Sequence, residues 1–308
     1  AARYAYEDAI CDHAGGESVY GELFNTAVES AAFVISDRDQ LIDIGLSYVN
    51  PQSKTAQAIQ AARRAHAEGL DWKAARRRVL AAAPHYNAQY SPINIGFQVL
   101  GWLYGEDFGD TLCKTVNCGY DTDCTGATIG SVLGILATRQ GLPQRWTEPL
   151  GEGISTNESW GGIRAVSTGP NPVPTTLDEL TERVIVMAER VLSAHGLLGN
   201  GASFEVDPAD LYADDAVREL WNAHTMHLAY QAQTCDVMVD YGDTPAIAAG
   251  GTRTLTTRLA NRHAVALDVR CMLEAPDGWR IEPQAATANI APHTSVALTW
   301  TITAPAPA

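Results

Sequence analysis

The sequence predicts a mainly α domain followed by a smaller all-β sandwich. Three observations carry the prediction. From residue 21 to about 140, and again over 177–195, apolar side chains return every three or four positions, the period of a helix with one buried face. The breaks between these segments hold Asp, Ser, Thr, Gly and Pro, residues that start and stop helices. From Cys235 onward the period falls to two and the breaks become GDTP, APDG and APHT turns, the pattern of short strands.

The helical elements follow in order. Residues 21–36 place Leu23, Ala27, Ser30, Ala31 and Val34 on one stripe, and residues 37–48 continue with Leu41, Ile44, Gly45 and Tyr48. Residues 53–68 are Ala-rich, with Ile59 inward and a basic outer face, and Gly69 stops that helix. Asp71 caps the next, WKAARRRVLAAA, which ends before Pro84; its four basic residues read as a solvated face. Ser91-Pro92 starts a helix through Tyr104, with Pro in the first turn, and residues 106–116 give another. Thr176 caps a long helix over 177–195 that puts Leu180, Val184, Met187, Val191 and Leu192 toward a core. Residues 144–176 read as irregular, and a short helix is expected over 214–226. Six β-rich runs between Cys235 and Ala304 complete the sandwich, and the APAPA tail reads as disordered. The expected boundaries are a helical portion at 1–198, a linker with a short helix at 199–231, and the sandwich with its tail at 232–308.

Composition narrows the function classes. The 308 residues suffice for about two domains, and an apolar fraction of 46% can build a core. A net charge of −15 argues against partners bound by phosphate neutralisation, such as duplex nucleic acid, and against an anionic membrane surface. Six scattered cysteines form no dense framework and no CxxC pair, so they read as reduced thiols of a cytoplasmic protein. No run of eighteen apolar residues exists, and the N-terminal stretch lacks the pattern of a signal peptide.

The stretch NCGYDTDCTGATIGSVLGI, residues 117–135, carries the chemistry. Asp121 and Asp123 stand at i and i+2 just before a helix. Two such carboxylates repel unless a cation lies between them, and Mg²⁺ prefers oxygen ligands of this kind. The bland alternative makes Asp123 an N-cap and Asp121 a loop residue. Gly126, Gly130 and Gly134 form a bare stripe that would let another backbone come close and wedge this helix deep in the domain.

The run from Asn94 through this stretch resembles the C-terminal half of the ADP-ribosylglycohydrolase family, whose members carry a Gly-x-Asp-Thr-Asp-(Ser/Thr/Cys) signature leading into a Gly/Ala-rich helix. The resemblance spans about residues 1–195 and is specific over 94–135. It implies an orthogonal helical bundle, incomplete here on its N-terminal side. It also implies a site for two Mg²⁺ ions (Mn²⁺ in some members) and hydrolysis of an N- or O-ribosyl bond of an ADP-ribosyl or related nucleoside substrate. On that resemblance Asp121 and Asp123 are metal ligands and residue 124 supplies a further one. Cys124 is a soft ligand where a hydroxyl is usual, and Thr125 could replace it. His13 and Asn94 resemble family residues near the substrate.

The family's N-terminal half, with its Thr/Ser-Asp-Asp-Thr motif, has no counterpart in the chain. The Asp214-Asp215 pair reads as a first helical turn. Two hard cations need about six ligands each, more than one DxD supplies. The expectation is therefore a heteromer or a fragment, completed by a second polypeptide or an N-terminal segment that also carries the general acid or base. The alternative is a catalytically inactive ligand-binding or regulatory protein of the same fold. Tyr120 is a candidate for the ribose pocket, Gly119 for backbone geometry there, and Trp160 for stacking on a base or capping the core. His13 touches substrate or is a satisfied structural histidine. The HTMH run at 224–227 lacks a third metal ligand nearby. The β-rich segment resembles the Ig-like modules appended to carbohydrate-active enzymes, with packing or dimerisation as its default role.

Overall fold

The computed structural model describes residues 1–12, 14–155, 172–196, 206–215, 217–218, 227–242 and 244–306. The chain divides into two units, Ala1–Val217 and Arg218–Ala308.

The first unit is helical. Its helices are α1 (Ala2–Ala9), α2 (Glu17–Ala32), α3 (Arg38–Ser47), α4 (Lys54–Ala67), α5 (Trp72–Ala82), α6 (Ser91–Tyr104), α7 (Phe108–Asn117), α8 (Thr122–Gly141), α9 (Gln144–Thr147) and α10 (Leu177–Ala194). Side-chain caps fix half of these starts. Asp37, Ser53, Asp71, Asp107 and Thr176 each accept a hydrogen bond from a backbone N–H of the first turn. Glu17 does the same across the fold, taking the N–H groups of Lys54 and Thr55 at 2.6 and 3.0 Å at the start of α4.

The centre of this unit is α6. Every residue from Pro92 to Leu103 is buried, and α2, α4, α5, α7 and α8 pack around it. A helix apolar on all sides belongs in such a position. Gly101 lets α7 approach closely: a Cβ there would lie 2.9 Å from the Cα of Thr115, and closer still to its hydroxyl. The core continues through Phe24, Val28, Leu41, Ile42, Ile44, Ile59 and Val79. Each such side chain contributes roughly 1.5–3 kcal/mol relative to exposure.

Two expectations about helix burial are corrected. The apolar stripe of α10 faces outward: Val184 is 58% and Met187 53% exposed, with Leu180 and Val191 also exposed and Leu192 only partly covered. The period forms the helix and assigns its face, but it cannot say whether anything covers that face. The glycine stripe of α8 is likewise not wedged into the core. Only Gly126 is tightly approached, with Val116 at 3.1 Å from its Cβ position, while Gly134 meets nothing within 4 Å.

The second unit is antiparallel β. Its strands are β1 (His227–Gln231), β2 (Asp236–Asp240), β3 (Thr252–Ala260), β4 (Leu267–Cys271), β5 (Arg280–Glu282), β6 (Ala286–Ile290) and β7 (Ser295–Thr303). One sheet runs β1-β2-β3-β7-β5 and the other pairs β4 with β6. Leu267, Val269 and Ala288 of the small sheet pack with Leu259, Val296 and Leu298 of the large one. Trp300 is fully buried and donates its indole N–H to Thr257 Oγ1 at 3.0 Å. Asn261 holds one corner by donating to the carbonyls of Val265, Ile290 and Ala291.

All six expected runs form strands, and β1 adds a seventh ahead of Cys235. Part of the expected tail is ordered into the sheet rather than free. The Ala304 N–H donates to Gly251 O at 2.9 Å and the Gly250 N–H to Pro305 O at 2.9 Å, so the β3 edge gives these residues partners. The helix expected over 214–226 falls largely outside the described residues.

Candidate metal centre

The quoted stretch sits where α7 hands the chain to α8. Helix α7 ends at Cys118, whose side chain is fully buried; burial pushes its thiol up to about 12. Gly119 (φ +78°) and Tyr120 (φ +66°) then follow in the left-handed region. Glycine adopts it freely, whereas for Tyr120 it costs about 1–2 kcal/mol. Packing offsets that cost. The Tyr120 ring meets Phe97 edge-on at 5.8 Å, and its hydroxyl donates to the His85 carbonyl at 3.4 Å.

Two further residues hold the turn. Arg76 Nε donates to the Cys118 carbonyl at 2.6 Å. Asn94, buried in α6, accepts the Asp121 N–H on Oδ1 at 3.1 Å and donates its amide to the carbonyls of Ala88 and Tyr90. Asn94 therefore ties the start of α8 to the loop before α6.

Asp121 occupies the N-cap position of α8, yet its side chain makes no cap hydrogen bond. This separates it from the five residues that cap their own helices. Asp123 lies in the first turn and is exposed, as is Cys124. One ligand atom from each of Asp121, Asp123 and Cys124 lies within 4.8 Å of the others. The Cys124 thiol is shifted upward, first by its hydrogen bond to Asp121, then by desolvation and by the charges of Asp121 and Asp123.

Such a donor set suits a divalent cation. Two carboxylates that cap no helix stand at the positive end of α8, which runs regularly from Thr122 to a kink at Thr138, and among the described residues neither has an ion-pair partner. The carboxylates offer hard oxygen atoms of the kind such an ion takes, whereas the Cys124 sulfur is a soft donor. Thr125 is fully buried and turns its hydroxyl back to the Thr122 carbonyl at 3.3 Å, below the exposed cluster.

Of the other expected site residues, Gly119 and Tyr120 shape the turn and Asn94 anchors it. His13, Trp160 and most of the HTMH run lie outside the described residues. Asp214 accepts the Val217 N–H at 2.8 Å, as a residue opening a helical turn does. Sequence reading missed Arg76. It sits among exposed basic residues on α5, and only the inward side of the period, next to Ala75 and Val79, marks it.

The comparisons with known proteins agree with this organisation. Residues 1–194 match a family model described as ADP-ribosylglycohydrolase, and residues 244–308 match one described as NPCBM-associated, NEW3 domain of alpha-galactosidase. No curated protein and no solved structure matches the chain. Among the described residues no helix is long and apolar enough to cross a membrane.

Proposed function

Because the chain belongs to the ADP-ribosylglycohydrolase family, we propose that it is a metal-dependent glycoside hydrolase acting on the N- or O-glycosidic bond of a ribosyl substrate. The observation that carries this reading is the Asp121–Asp123–Cys124 cluster at the tip of α8, whose N-cap carboxylate does not cap the helix. Asp121 and Asp123 would hold Mg²⁺ or Mn²⁺, with Cys124 at the edge of the same cluster. When bound, the ion supplies Lewis acidity toward substrate and water oxygens. The chain's own residues do the positioning. Asn94 and Arg76 fix the backbone on either side of the turn, and Tyr120 braces it against Phe97.

The ligand count supports a composite site. Among the described residues the three clustered donors fall short of the six or so that each hard cation takes, and waters and substrate do not fix a pair of ions by themselves. A second polypeptide or a further segment bearing paired aspartates would supply the remaining ligands and the general acid or base. The exposed apolar face of α10 and the open side of α8 at Gly134 leave surface for such a body. A NEW3-type domain following the helical unit in the chain fits an enzyme of glycosides, with the sandwich as a packing or dimerisation module. Native mass spectrometry of the purified protein tests the composite site. The expected result is a mass above that of this chain, resolving on denaturation into it and a partner with a paired-Asp motif. A single species at 33.0 kDa that binds nucleotide without turnover would favour the ligand-binding reading instead.

A further inference from the structure

Four basic residues lie on α5, and three of them, Lys73, Arg77 and Arg78, are exposed. Arg76 is turned inward and half-buried. Its Nε is committed to the Cys118 carbonyl at 2.6 Å, and its guanidinium lies 5.4 Å over the centre of the Phe97 ring. Among the described residues no carboxylate pairs with it, and its two Nη groups make no hydrogen bond. A guanidinium stripped of part of its water, with no counter-charge, is an unfavourable element unless something else supplies the anion.

The open edge points toward the functional turn. Nη2 lies 3.7 Å from the position a Cβ would take on Gly119, and residue 119 has no side chain to fill that space. Two residues later comes Asp121. In a chain of net charge −15, a fixed cation beside the site favours entry of a phosphorylated substrate. Arginine suits that task because its planar fork matches two phosphate oxygens. The plane is already set by the Nε bond and by the Phe97 face, so little side-chain freedom is lost on binding.

We propose that Arg76 is the anion-recognition residue of this site, presenting its Nη edge to a phosphate of the ribosyl substrate. The inference rests on the ribosyl-hydrolase reading and sharpens it, since it selects phosphorylated ribosides over plain nucleosides.

The test is calorimetric titration of the full chain with ADP-ribose and with adenosine, in wild type, R76Q and R76K. Mn²⁺ titration without nucleotide and a melting curve accompany each variant. R76Q is expected to weaken ADP-ribose binding roughly 10- to 100-fold, the worth of a charged hydrogen-bonded pair, and adenosine by less than about threefold. R76K should recover part of the loss, and serves as the test variant if R76Q does not fold. Equal losses for both ligands would make Arg76 a holder of the turn and overturn the proposal. So would unchanged ADP-ribose binding, or a wild type that binds no ADP-ribose. A wild type that takes no Mn²⁺, with the ADP-ribose loss still selective in R76Q, would instead overturn the metal reading and leave Arg76 in its role.

Discussion

Two helix starts on the same unit place the same residue type at the same position and use it differently. Asp71 opens α5 and accepts the N–H groups of Lys73 and Ala74, both at 2.9 Å. Asp121 opens α8 and accepts from neither of the corresponding groups. The first carboxylate is spent on its own helix. The second caps nothing and stands beside Asp123 and Cys124. A capping residue that does not cap is a better pointer to chemistry than an acidic residue as such, because a local role has been available and left unused.

The largest effect that would sharpen this contrast lies in the scaffold beneath Asp121. Gly101→Ala drives a methyl group into the Thr115 backbone of α7, which leads into the functional turn, and should cost about 3 kcal/mol or more in denaturant unfolding. Asn94→Ala removes the amide that joins Asp121 to the loop before α6, leaving backbone groups unpaired; a loss of about 1–3 kcal/mol is expected, together with weaker Mn²⁺ binding. If stability falls and metal affinity does not, the turn does not need Asn94 to hold its ligands. The smallest effect concerns Asp71. The Ala74 N–H chiefly, then the Lys73 N–H and the charges of Arg77 and Lys73, hold its carboxyl below the ordinary 3.8. Its contribution to stability is full above the unfolded carboxylate range and fades as pH falls through the lowered folded value. Asp71→Asn should therefore flatten the acid limb of the melting-temperature profile below about pH 4, a difference largest against wild type at neutral pH.

Much of the contrast was legible in the sequence. Asp71 and Thr176 announced their helices, and Asp121 and Asp123 announced a side-by-side pair at the start of α8, because both signals are local in the chain. The six strands after Cys235 were legible for the same reason. What was hidden depends on other parts of the fold. The α10 period describes a face without saying that it lies open. The α8 glycines describe bare backbone without saying that only Gly126 meets a neighbour. Arg76 looked like one of four solvated cations until its carbonyl partner, 42 residues away, was known. Ala304 and Pro305 belonged to a low-complexity tail until the Gly250–Gly251 edge supplied their hydrogen bonds.

The most direct test of the central claim compares Mn²⁺ titrations of the wild type, Asp121→Asn and Asp71→Asn, followed by electron paramagnetic resonance of free Mn²⁺. The account predicts binding in the wild type, its loss by at least roughly a hundredfold in Asp121→Asn, as expected for removing a charged oxygen ligand, and no change in Asp71→Asn. Equal affinity in all three proteins would contradict it, for the carboxylate left free at the start of α8 would then hold no metal.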